Sequence, residues 1–151
     1  MALIEKSVEV QVPVRTAYNQ WTQFEEFPKF MEGVVQVQQL DSTHLHWKAK
    51  IAGKEKQWDA VITEQHPDER IAWKSTQGAK NAGVVTFHRL SDQTSKIMLQ
   101  LDYEPEGVVE NVGDAFGAVS LRVEGDLTRF KEFIETRGRE SGAWRGDVKG
   151  K

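Results

Sequence analysis

The stretch Val112-Gly113-Asp114-Ala115-Phe116-Gly117-Ala118-Val119-Ser120-Leu121-Arg122-Val123-Glu124-Gly125-Asp126-Leu127-Thr128-Arg129-Phe130-Lys131-Glu132-Phe133-Ile134 decides how this chain folds. Val112, Phe116, Val119, Val123, Leu127, Phe130 and Ile134 follow one another in steps of 4, 3, 4, 4, 3 and 4. That spacing puts them on one stripe of a helix. The helix is expected to run for roughly thirty residues, well beyond the usual 11–12. Its stripe is flanked by Gly113, Ala115, Gly117 and Ala118 near the start and by Phe133 near the end. Glycine inside a helix is unfavourable by about 0.5–1 kcal/mol relative to alanine. A helix sparse at one end and bulky at the other leaves space under its sparse end when packed on another layer. The pattern therefore hints at a cavity.

The segments upstream supply that other layer. Ile4 to Val12 alternates as a half-buried strand, and Pro13 suits the first turn of a helix bearing Val14, Ala17, Tyr18 and Trp21. A second short helix or turn holds Phe24, Phe27, Phe30 and Met31, interrupted by Pro28. After Gly33 the period becomes two. Val35 and Val37, then Leu45, Trp47, Ala49 and Ile51, then Trp58, Ala60 and Ile62 each share a face. Ile71, Trp73 and Ser75 follow, then Gly83, Val85 and Phe87, and lastly Ile97, Leu99, Leu101 and Tyr103. Turns are expected at Ala52-Gly53-Lys54, His66-Pro67-Asp68-Glu69 and Ser91-Asp92-Gln93, and a loop from Gly78 to Ala82. The order is one strand, two short helices, six strands and a long helix. Short connections favour antiparallel pairing, and the long helix has the apolar stripe to cover one face of the sheet.

At 151 residues with a net charge of −3, the chain suits one domain. We place that domain at 1–137 and a flexible tail at 138–151. Trp144 in the tail either docks back or is exposed. No strand or helix carries the basic stripe of a nucleic-acid binder. The absence of cysteine excludes disulfides, thiol catalysis and cysteine zinc sites. No apolar run reaches bilayer length, and the N-terminus lacks the pattern of a signal peptide, so a soluble cytoplasmic protein is expected. A homo-oligomer is compatible with these features.

These residues, in this order, resemble the START-related helix-grip superfamily, and within it the bacterial polyketide cyclase/dehydrase-like branch. The resemblance runs from about Ser7 to about Glu135. It is carried by Val12-Pro13-Val14, Phe24 to Val34, Arg70 to Ser75, Gly83 to Phe87, Leu101 to Pro105 and Asp126 to Lys131. It implies an α+β helix-grip fold, a curved seven-stranded antiparallel sheet wrapped around the long C-terminal helix. Between them it implies a cavity for a hydrophobic ligand. The helix would border the cavity at Val112 to Ala118 and close the core at Leu127 to Ile134.

With that alternation, the concave face presents Trp47, Trp58, Trp73, Phe87, Leu99, Leu101 and Tyr103. Phe27, Phe30 and Met31 stand near the mouth, and Val112, Phe116 and Val119 face the sheet. Each would serve a plain core equally well; their number favours a pocket. Flat apolar walls with single polar tips suit lipids, isoprenoids or quinones, or polycyclic aromatics. Chemistry is less visible. His44, His46 and His88 fall on the opposite face, and His66 lies in a turn. His44, His46 and Asp59 are a weak metal constellation. Glu104, Glu106 and Glu110 suit the entry of the long helix. Arg122 and Arg89 are candidates to neutralise an acidic ligand group, and Tyr103 and Ser75 are the polar atoms expected inside. No catalytic residue, metal or cofactor is assigned. The leading expectation is binding or carriage of a hydrophobic small molecule. An aromatase/cyclase-like enzyme and a protein-interaction module, as among ribosome- or quinone-associated relatives, are the alternatives.

Overall fold

The computed structural model describes residues 2–31, 33–51, 54–78, 80–104, 112–146 and 148, with the side chains of 2–3, 51, 103–104 and 112–119 outside that description. The elements are β1 (Ala2–Val10), α1 (Val14–Trp21), a 3₁₀ helix (Phe24–Lys29), β2 (Val34–Gln39), β3 (His44–Ile51), β4 (Lys54–His66), β5 (Arg70–Gly78), β6 (Lys80–Ser91), β7 (Thr94–Glu104) and α2 (Val112–Arg137). Among the described residues the strands form one seven-stranded antiparallel sheet in the order β1-β7-β6-β5-β4-β3-β2. Its two edges are therefore β1 and β2, which are joined through α1 and the 3₁₀ helix. The residues between Pro13 and Met31 cross the mouth of the sheet from one edge to the other.

Register shifts at Asp59/Ala60 and Ile62/Glu64 in β4, and at Val34/Gln36 in β2, curl the sheet. An extra residue on one strand bends it and steepens its twist. The second shift in β4 also changes which residues face inward. Ala60 and Ile62 are buried as the alternation predicts, but beyond the bulge it is Gln65, not Glu64, that turns in. Gln65 donates from Nε2 to the Tyr18 hydroxyl at 3.1 Å.

The expected loop from Gly78 to Ala82 is instead strand on both sides, with β5 reaching Gly78 and β6 starting at Lys80. Gly78 makes this possible. Its φ is +88°, and a Cβ there would stand 2.3 Å from the Gln57 carbonyl oxygen on β4.

The core fills one end of the space between sheet and α2. Leu127, Phe130 and Ile134 from the stripe are buried against Tyr18 and Trp21 of α1 and Phe30 after the 3₁₀ helix. Ring centroids lie 5.0 Å apart for Trp21–Phe130 and 5.2 Å for Phe30–Phe130, both edge-to-face, as aromatic quadrupoles prefer.

The chain beyond α2 folds back along α1. The Ser141 amide donates to Gln20 Oε1 and the Trp144 amide to Thr22 Oγ1, while Val148 and Gln65 exchange two backbone bonds of 2.8 Å. Arg145 pairs with Asp68 at 2.8 Å, donates to Asn19 Oδ1 and lies over the Tyr18 ring. The hydrogen bond from Arg145 to the Asp68 carboxylate, against the penalty of partial burial, raises the guanidinium pKa still further. Residues 141, 144, 145 and 148 of the tail thus make contact with the domain.

Candidate functional site

At the other end of the same space, β3, β4 and β5 present Trp47, Trp58 and Trp73 to a cavity of about 160 Å³. The sheet side is completed by Leu45, Ala49, Ile62, Ile71, Leu99 and Leu101. Trp21, Phe24, Phe27, Met31 and Val34 close one flank, and Arg122, Val123, Asp126 and Leu127 of α2 form the roof. The lining is overwhelmingly apolar, as a small-molecule site requires.

The tryptophans are placed by the strand pairing. Trp47 and Trp58 stand directly opposite each other in the β3–β4 register. Their rings stack with centroids 5.6 Å apart and planes 9° from parallel. Phe27 leans on Trp47 at 5.5 Å. Both indole N–H groups are buried, and neither has a hydrogen-bond partner among the described residues. Trp73 differs, donating to Asn81 Oδ1 at 3.2 Å. It lies across Gly83 on β6, where a Cβ would fall 2.7 Å from the indole. Gly83 therefore permits the position of this wall.

Polar groups gather on α2. Asp126 pairs with Arg129 at 2.7 Å, and Arg129 Nε donates to the Phe30 carbonyl at 2.8 Å. Arg122 is half-buried at the cavity and makes no hydrogen bond or ion pair with another described residue. Its guanidinium rests against Gly33, where a Cβ would lie 2.7 Å from Nη1.

Of the residues expected at the site, Phe27, Met31, Trp47, Trp58, Trp73, Leu99 and Leu101 line this cavity, the first two as buried wall. Phe30 and Phe87 do not line this cavity. Phe30 turns to α2, between Phe130 and Phe133. Phe87 packs on Tyr18 and Trp21, because α1 covers its end of the sheet. Tyr103, Val112, Phe116 and Val119 have side chains outside the described residues, as do Glu104, Glu106 and Glu110. Ser75 does not reach the cavity; its Oγ accepts from the Asn81 amide. Trp21, Phe24 and Val34 line the wall without having been singled out from the sequence. Phe24, Phe27 and Met31 follow steps of 3 and 4, and that spacing was the available signal.

The histidines lie away from the cavity. His44 faces Asp41, whereas His46 Nδ1 lies 2.6 Å from Asp59, so the trio His44, His46 and Asp59 does not converge. Arg89 pairs with Asp92 in the β6–β7 turn. The backbone N–H of Thr43 and then the His44 side chain hold the Asp41 carboxyl down at about 2.

The comparisons agree with this geometry. A family model described as polyketide cyclase / dehydrase and lipid transport matches residues 10–132. An uncharacterized 17.2 kDa protein from the melC2-rnhH intergenic region of Streptomyces lincolnensis is 56% identical over 149 residues, covering 98% of this chain and 99% of the relative. Two solved structures share the fold. The Zhui aromatase/cyclase of Streptomyces sp. R1128 superposes with a TM-score of 0.76 at 15% identity, over 95% of this chain and 99% of that one. A START superfamily protein of Mycobacterium smegmatis superposes with a TM-score of 0.71 at 17% identity, over 89% and 95%. With the match spanning all of the sheet beyond β1 and most of α2, the chain belongs to the polyketide cyclase/dehydrase and lipid transport family.

Proposed function

We propose that this protein binds and carries an apolar small molecule in the cavity between the sheet and α2. The observation that carries the reading is the stacked Trp47–Trp58 pair in an apolar wall, with both N–H donors buried and unpaired among the described residues. A cyclase would need a proton-transfer group at the wall. Of the described ionisable groups there, Arg122 carries a guanidinium that does not deprotonate, Asp126 is engaged by Arg129, and the Lys50 side chain is exposed. This balance supports binding over acid–base catalysis. No described helix is long and apolar enough to cross a membrane, and we assign the carrier to the cytoplasm.

Native mass spectrometry of protein purified from cells tests the proposal. A retained lipid, isoprenoid or polycyclic guest, lost on Trp58→Ala with the fold intact, is the expected result. Failure of any retained or added apolar compound to raise the melting temperature would remove this reading. Turnover of an added polyketide chain would establish the cyclase instead. Capture of a protein partner with an empty cavity would establish the interaction module.

A further inference from the structure

The described side-chain groups left unpaired at the cavity wall are all donors. The Trp47 and Trp58 N–H groups are buried out of reach of a guest, and Arg122 offers a guanidinium. The acceptors are occupied: Asn81 Oδ1 takes the Trp73 N–H, and the Asp126 carboxylate takes Arg129. The one other charged residue at the wall, Lys50, is cationic, with an exposed side chain. A neutral hydrocarbon would leave the Arg122 guanidinium unpaired. An occupant ending in a negatively charged pair of oxygens would satisfy it.

The position of Arg122 has the features of a seat. Gly33 lacks the side chain that would displace the guanidinium, and the Lys50 amide, bonded to the Gly33 carbonyl at 2.7 Å, fixes that backbone. Arg122 is half-buried, so its charge stands where the apolar chamber meets solvent. The guanidinium fork matches a carboxylate in two parallel hydrogen bonds.

We infer that the guest is an amphiphilic acid, a flat apolar ring system ending in a carboxylate, with the rings against Trp47 and Trp58 and the carboxylate on Arg122. This rests on the apolar-binding reading above and adds the charge of the ligand to it. The test is calorimetric titration of the full chain with 2-naphthoic acid, its uncharged methyl ester, and naphthalene. The acid is expected to bind at least about tenfold more tightly than the ester, as a charge-assisted pair should give. Arg122→Leu should abolish that preference, and Arg122→Lys should keep part of it. Should Arg122→Leu not fold, Arg122→Gln supplies the same comparison. Equal binding of acid and ester, or a preference that survives the loss of Arg122, would overturn the inference and leave the apolar cavity standing. Binding of none of the three compounds would overturn both.

Discussion

Trp47 and Trp58 combine two properties that pull in opposite directions. Their rings add large apolar area to the wall, while their unpaired N–H groups weaken the fold that contains them. An unsatisfied buried donor is unfavourable by about 1–3 kcal/mol. Replacing either residue with phenylalanine removes the donor and keeps a ring. Trp47→Phe and Trp58→Phe should therefore hold or raise the melting temperature of the unliganded protein, while weakening a flat apolar guest that stacks on the larger indole by about fivefold. Thermal unfolding and titration on the same samples read both signs. A loss of stability with unchanged affinity would mean that the indoles act only as packing. Asp41 gives a residue-scale check on the β2–β3 turn. Its carboxylate accepts from the Thr43 and His44 amides at 2.8 Å each, and its pKa is lowered from 3.8 to about 2. A depressed carboxyl stabilises the folded state above its ordinary value and loses that contribution as pH falls through about 2. A carbon-detected NMR titration should find the inflection near 2; one near 3.8 would mean the turn does not hold the carboxylate.

α2 does two jobs along its length, and substitutions should separate them. Phe130 is fully buried among Trp21 and Phe30, and Phe130→Ala should cost about 3–5 kcal/mol, measured by denaturant unfolding. Leu121 is 73% exposed, and Leu121→Ser should be silent. The second half of the stripe was legible in the sequence because Val123, Leu127, Phe130 and Ile134 all obey one period and all are buried. The role of Arg122 was harder to read. Periodicity marks which residues face inward but not where the inward space is filled, so a flank position says nothing of its distance to a void. The β5–β6 hairpin was misread for a related reason. Gly78 and the polar residues after it carry turn chemistry, and only the close approach of β4 shows that the glycine serves a strand. Phe87 followed the inward alternation correctly, yet α1 rather than the cavity met it. The returning tail was the least legible element. Its side-chain bonds to Asn19, Gln20, Thr22 and Asp68 and its short backbone bridge from Val148 to Gln65 leave no periodic trace.

Across the whole molecule, one interior is divided between dense packing and open space. The aromatic cluster around Phe130 anchors α2 to the sheet, and the tryptophan-walled end is left unfilled. Ala49 tests this directly. It is buried on β3 and lines the cavity next to Val34 and opposite Lys56. Leucine at this position would extend three further carbons into the open space. If that space is retained for a guest, Ala49→Leu should stabilise the unliganded protein by about 1–2 kcal/mol, since each buried methylene adds about 0.8 kcal/mol less the strain of fitting. For a chain of this length that corresponds to a melting temperature higher by roughly 2–8 °C. The same substitution should displace the guest, lowering affinity for a naphthalene-sized compound at least about tenfold. A destabilised variant would mean that the space at Ala49 is too small for a leucine side chain. A stabilised variant that still binds at full strength would place the guest elsewhere on the protein.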